Sequence, residues 1–303
     1  MVKFPTYLTA LLWIFSIGLC PAGHACDTTV KHQYVEIERD RVVLALLKHA
    51  LSKTDRDICF EPIKFVANEV RYSTLLQSDE LDVFWASSGS SAAQYAAPIQ
   101  QPIFLGLTGY RILVIRKADQ VKFNNVDTIE DLKQFNVGQG LFWGDTKILE
   151  QAGFSVTKAG EAKNLWKMLS SKRFDFLSIG AHEPWAQLAT RPELAVEQNL
   201  LLAYPLALQF YVSTKDTALY ELIEQGMRLA LADGSYQQVL LQSNIIQQML
   251  ANANLLQRRQ LIIEDDALLK LLPPGYQMQL PTFLIEAERQ LKPFESEMND
   301  LID

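Results

Sequence analysis

Short apolar runs alternate with segments of helical periodicity along most of the 303 residues. Residues 28–34 predict a short strand. Residues 41–51 follow with Val42, Val43, Leu46, Leu47 and Ala50 at the spacing of one buried helix face. Residues 58–66 predict a second strand, and Pro62 within it, lacking an amide donor, predicts a sheet edge. Residues 68–77 read as a helix, and Asp82-Val83-Phe84-Trp85 as a buried strand ending in Ala86-Ser87-Ser88-Gly89. The middle of the chain repeats this rhythm. Residues 110–117 are a strongly apolar strand, Thr128 caps a helix start with Asp131 near its positive end, and residues 135–138 form a short strand. Asp145 is placed to cap a helix running to Gly153, a second helix covers residues 161–171, and a strand covers 174–179. Glu183-Pro184 opens a short helix with proline at its tolerated first position. A strand over 206–213 and a long amphipathic helix over 217–232, closed by Asp233-Gly234, come next. Helical material continues to Leu255 and returns near 285–294, beyond Pro273-Pro274-Gly275. Strands alternating with helices predict an α/β protein with parallel strands.

The amino-terminal stretch changes the setting. Lys3 precedes an apolar run from Leu8 to Leu19, and Pro21 leads into Ala22-Gly23-His24-Ala25. A positive start, a short apolar segment and small residues at a cleavage point form an export signal over 1–25. A run of about a dozen residues is shorter than the roughly 18–20 that cross a bilayer; a retained anchor is the alternative. No later run is long and apolar enough to span. Cleavage removes Cys20 and leaves Cys26 and Cys59, an even pair that predicts one disulfide in an oxidising compartment. A free Cys59 with an acylated or exposed Cys26 is the other reading. The expected location is the periplasm.

Composition narrows the class. The chain carries 28 Lys and Arg against 35 Asp and Glu, a net charge of −7. That balance opposes a nucleic-acid binder and a polybasic membrane-surface protein. A hydrophobic share of 49% belongs to a globular chain, of one large or two medium domains.

In open α/β sheets, ligands sit beyond the carboxyl ends of the strands, so the loops after predicted strands hold the candidate chemistry. Trp85, Ser87 and Ser88 follow one strand: an indole to stack on an apolar part and two hydroxyls for a polar group. Gly140-Leu141-Phe142-Trp143-Gly144-Asp145 follows another and opens a helix, whose free amides suit an anion. Trp143 reads equally as cleft wall or core, and Asp145 as a cap before a contact. Gly180-Ala181-His182-Glu183 follows a third strand; His182 is a cleft hydrogen-bonding group or a surface residue, and Glu183 reads equally as charge at a helix start. Arg111 is placed either to clamp a carboxylate or to pair between lobes. Metal-ligand spacing, phosphate loop and nucleophile elbow are lacking, so neither metal nor cofactor is expected.

The order of several pieces resembles bacterial periplasmic solute-binding proteins of the amino-acid-importer type. They are Leu81-Asp82-Val83; Pro102-Ile103-Phe104-Leu105-Gly106-Leu107 leading to Gly109-Tyr110-Arg111; Thr128-Ile129-Glu130-Asp131-Leu132; Val137-Gly138-Gln139-Gly140; Arg173-Phe174-Asp175-Phe176; and Ala232-Asp233-Gly234-Ser235-Tyr236. With weaker flanks the resemblance covers nearly all of the chain after the signal. It implies the type II periplasmic binding fold, two α/β lobes joined by a hinge of two crossing segments, with lobe I at 26–109 and 207–303 and lobe II at 110–206. It further implies a monomer that holds a small polar solute in the cleft, for an ABC-type permease or a sensor, and an acidic group near Glu183 for a ligand ammonium. The chain departs from that pattern twice. Ser87-Ser88-Gly89-Ser90-Ser91-Ala92-Ala93-Gln94-Tyr95 has no arginine to read a carboxylate, and Ile179-Gly180 stands where an Arg-Gly pair can occur. Two other functions stay open: a lyase- or dehydratase-like enzyme using Glu183, His182 or Asp145, and a degenerate scaffold that binds another protein.

Overall fold

The computed structural model describes residues 26–67, 69–89, 96–264, 269–270, 272, 276 and 278–291. Residues 1–25, read above as an export signal, Ser90–Tyr95 and the Pro273-Pro274-Gly275 break lie outside them. Among the described residues twelve strands occur: β1 (Thr28–His32), β2 (Ile58–Pro62), β3 (Val83–Ser87), β4 (Ala96–Pro98), β5 (Tyr110–Arg116), β6 (Val137–Gly140), β7 (Val156–Ala159), β8 (Phe176–Gly180), β9 (Leu194–Val196), β10 (Leu200–Ala203), β11 (Leu208–Ser213) and β12 (Arg259–Ile262). They form two sheets, one of order β2-β1-β3-β11-β4 and one of order β12-β10-β5-β8-β6-β7 with β9 beside β5. Each sheet with its helices is one lobe of an α/β protein.

The sheets are mixed. β1, β2 and β3 run parallel, as do β6, β7 and β8, but β5 and β11 are antiparallel to their neighbours β8 and β3. β5 and β11 are the strands by which the chain enters one sheet and returns to the other, so their reversal is the geometric consequence of crossing. β2 lies at a sheet edge, where Pro62 forfeits no ladder bond to a further strand. The disulfide joins Cys26 to Cys59, Cα atoms 5.7 Å apart, at the start of this β1–β2 pair.

Two crossing stretches, 99–109 and 204–207, lie side by side. The Tyr204 amide donates to the Gly109 carbonyl at 3.1 Å, and a side chain on Gly109 would sit 2.6 Å from the Tyr204 carbonyl oxygen. Ser88 straps the second stretch to the end of β3: its amide donates to the Ala207 carbonyl at 2.7 Å, and its hydroxyl accepts from the Ala207 amide at 3.1 Å. Tyr236 anchors the first by donating its hydroxyl to the Ile103 carbonyl at 3.0 Å.

The carboxy-terminal part divides between the sheets. The helix Thr217–Ala232 packs on Glu38–Leu51 in the first lobe, yet β12 pairs in parallel with β10 of the second sheet. Residues 207–303, placed together in the first lobe by the sequence reading, thus include a strand of the second sheet. Buried Arg258 fixes this entry, donating to the carbonyls of Ala253, Glu197 and Leu200. Thr128 forms the expected capping box with Asp131. Asp145 does not cap its helix: Gly144–Gln151 starts after Trp143, and the carboxylate is directed elsewhere.

Gly226 lets the helices Thr217–Ala232 and Glu38–Leu51 meet, because a Cβ there would lie 2.3 Å from the Ala50 carbonyl oxygen. Alanine ordinarily favours a helix over glycine by about 1 kcal/mol, but here the backbone oxygen cannot turn aside. Gly226→Ala is therefore expected to lower stability by about 1–3 kcal/mol, seen in urea or thermal unfolding as a drop of roughly 2–10 °C.

Candidate functional site

The carboxyl ends of β1, β3, β6 and β8 face the space between the lobes, and an open cleft of about 560 Å³, continuous with solvent, lies there. The first lobe contributes Arg39 from the first turn of Glu38–Leu51, and Trp85, Ala86 and Ser87 from the end of β3. The second contributes Arg111 of β5, Trp143 and Asp145 after β6, and His182 and Glu183 after β8. Phe104, Thr108, Leu206 and Leu208 close the cleft where the chain crosses. Seven of the eight candidates from the sequence thus line one space; Ser88 instead makes the backbone strap described above.

Two ion-pair systems organise the charges. Arg39 donates to Glu183 Oε1 at 3.0 Å, across the cleft, and through Nε and a terminal nitrogen to Asp40 Oδ1 at 3.2 and 3.0 Å. Trp85 completes this set, its indole N–H donating to the same Asp40 oxygen at 3.0 Å. Glu183 Oε2 accepts from the Gly180 amide at 2.9 Å. Trp85 is 3% exposed and packs edge-on against Phe210, so it acts as a buried strut for Asp40 rather than an open stacking surface. Burial pushes the Glu183 carboxyl up, but Arg39, His182 and Arg111 outweigh it and hold the group down at about 2.

The second system joins the second lobe to the crossing stretches. Arg111 pairs with Asp145 at 3.0 Å and donates to the carbonyls of Thr108 and Ser178 at 3.2 and 3.4 Å. Tyr204 donates its hydroxyl to the same Asp145 oxygen at 3.0 Å. Asp145 is thus the counter-charge of Arg111, and Arg111 reaches no group of the first lobe's strands. Burial, aided by negative Glu183, raises the Asp145 carboxyl against the pull of Arg111 and Tyr204.

His182 stands apart from both. It is 1% exposed, its ring lies 4.4 Å from the Phe104 ring, and neither ring nitrogen has a hydrogen-bond partner; Arg111 Nε is likewise buried and unpartnered. Burial, with Arg39 and Arg111 adding to it and Glu183 opposing, lowers the imidazole to about 4. The ring is therefore neutral near pH 7, one nitrogen a donor and the other an acceptor.

Arg39 and the apolar closures Phe104, Leu206 and Leu208 were not among the candidates. The rule that selected the other loops applies equally to the loop after β1; within Glu36-Ile37-Glu38-Arg39-Asp40-Arg41, however, nothing separates Arg39 from a solvated charge run. Groups of three or more His, Cys, Asp and Glu able to hold a metal are absent among the described residues. No described helix is long and apolar enough to cross a membrane.

Two outcomes test this geometry. Asp145→Ala leaves the Arg111 guanidinium buried without a counter-charge and is expected to lose about 3–5 kcal/mol of stability in urea unfolding. Between pH 6.5 and about 4 the unfolded chain protonates at residue 182 while the folded one does not, so stability rises with pH across that window and is lost on acidification. His182→Leu is expected to remove on the order of 3 kcal/mol from that pH dependence. The Glu183 contribution persists through the window and falls away only as pH drops from about 4.5 toward 2.

No family model matches the chain, and no curated protein does. Solved structures do resemble it. An amino acid ABC transporter substrate-binding protein from Streptococcus pneumoniae bound to L-arginine superposes with a TM-score of 0.55 at 13% identity, covering 73% of this chain and 95% of that one. An ancestral arginine-binding protein bound to arginine gives 0.53 at 18%, covering 71% and 98%. The ancestral amino acid-binding protein AncCDT-1, a precursor of cyclohexadienyl dehydratase, gives 0.52 at 12%, covering 71% and 95%. The chain has the two-lobed fold of periplasmic binding proteins of type II.

Proposed function

We propose that this protein binds a small polar solute in the cleft between its lobes, as the binding component of an ABC-type importer or a sensor. One observation carries the reading: a buried, neutral histidine with both nitrogens unpartnered lines a cleft walled by both lobes. A buried polar group without a partner costs free energy, and a ligand is the natural source of that partner. Trp143, Phe104, Leu206 and Leu208 offer an apolar wall, while Ser87, Thr108, Arg111 and His182 offer polar contacts. Arg39 and Glu183 join the lobes directly and act as the closing contact. The similar structures bound to arginine support an amino acid or a relative of one as the ligand class.

The signal segment and the disulfide support export to the periplasm; the similar ABC transporter structures support a permease as the partner, and we take the protein to act as a monomer. Lobe I comprises 26–109 and the helices after β11, lobe II 110–206 joined by β12. Catalysis by Glu183, His182 or Asp145 is the weaker reading, because each carboxylate is engaged by an arginine and no acidic or nucleophilic group among the described residues hydrogen-bonds His182 to relay a proton.

A thermal-shift panel of amino acids, amides, polyamines, sugars and small carboxylates tests the proposal. A ligand at one hundred times its Kd stabilises by about 2.7 kcal/mol. The shift is expected to shrink in Arg39→Ala and in His182→Leu. A panel without a hit overturns the reading, and turnover of a hit moves the assignment to the enzyme.

A further inference from the structure

The charged groups of the cleft already face one another. Arg39 is held by Asp40 and Glu183, and Arg111 by Asp145. Arg39 thus has two carboxylates and Arg111 one, so with Asp145 ionised neither cation is left over. An incoming carboxylate would shed its hydration and meet no unengaged cation, or would have to displace Glu183 or Asp145 and leave that anion buried without its partner; both are unfavourable.

What remains unengaged is of another kind. The ring nitrogens of His182 supply one donor and one acceptor, and Arg111 Nε supplies a donor, all buried and without partners. We infer that the solute carries no free carboxylate, and presents instead a neighbouring acceptor and donor, of the carboxamide type, to His182 and Arg111 Nε. This rests on the cleft-binding reading above and narrows its ligand class. A carboxamide accepts through its oxygen and donates through its nitrogen, so it supplies both kinds of missing partner without bringing an anion. Its ammonium, where present, meets a cleft whose charge balance already leans negative. The apolar body of such a compound lies against Phe104 and Trp143.

Matched pairs separate this inference from the reading beneath it. Calorimetric titration of the mature protein with L-arginine and L-argininamide, L-leucine and L-leucinamide, and succinate and succinamide compares a carboxylate with its carboxamide on one body. The carboxamide is expected to bind at least tenfold tighter in each pair that binds. His182→Leu is expected to abolish that preference and His182→Gln, which keeps a donor and an acceptor, to restore part of it; melting curves confirm that both variants fold. Glu183→Gln removes the anion facing Arg39 and is expected to shift the preference toward the carboxylate. Equal or tighter binding of the carboxylate members overturns the inference while leaving cleft binding intact. Silence of every pair, together with the broader panel, overturns cleft binding itself.

Discussion

Three carboxylates and two guanidinium groups share one cleft, and they can do so only because each charge faces an opposite one. Removing ions from water is costly, and the mutual attraction offsets that cost only where geometry and further hydrogen bonds complete each group. The surrounding structure supplies those bonds. Trp85 fixes Asp40, the Gly180 amide fixes Glu183, and Tyr204 fixes Asp145. Tyr204 belongs to the returning crossing stretch, and Arg111 begins the second sheet just after the outgoing one. The same residues that join the lobes thus hold the second ion pair in place.

This arrangement distinguishes the two pairs by role. Arg111–Asp145 is buried on one lobe and moves with it, a fixed part of the wall. Arg39–Glu183 spans the lobes: 31% of the Arg39 side chain is exposed and 16% of that of Glu183. Solvent reaches this pair and screens it, so it binds the lobes together less firmly than a fully buried pair would. It is a direct side-chain link between the two walls of the cleft. His182, buried without a hydrogen-bond partner, is an unfavourable element of this arrangement.

Much of the fold was legible because its strongest segments repeat a clear period. The helix Thr217–Ala232 has the bounds its apolar spacing predicts, and Thr128 with Asp131 forms the expected cap. β4, β7, β9, β10 and β12 were not foreseen. Each is three or four residues long, too short for alternation to register, and β12 is Arg-Gln-Leu-Ile, with one buried position. Its place depends on Arg258 reaching carbonyls some 60 residues away in sequence, a contact that local pattern cannot reveal. The site was legible in outline, since the loops beyond strand ends did collect the lining residues. Partners were not: Asp145 sits where a cap is expected, and only the fold brings Arg111 and Tyr204 to it.

The missing arginines at the Ser-rich loop and at Ile179-Gly180 take on a different meaning in this setting. The cleft does contain arginines, Arg39 and Arg111, but each is accompanied by its own acid. Replacing an unengaged arginine by an engaged one changes the ligand that the cleft favours, because what matters is charge left over after the protein has satisfied itself. Fold likeness alone carries no such information: the same two lobes can present a surplus cation, a surplus anion or a neutral donor–acceptor pair. Here the residual chemistry is the neutral pair at His182, whose ring the surrounding burial keeps unprotonated near pH 7. On the proposed reading, selectivity would follow from the cost of the wrong ligand more than from the strength of the right contact.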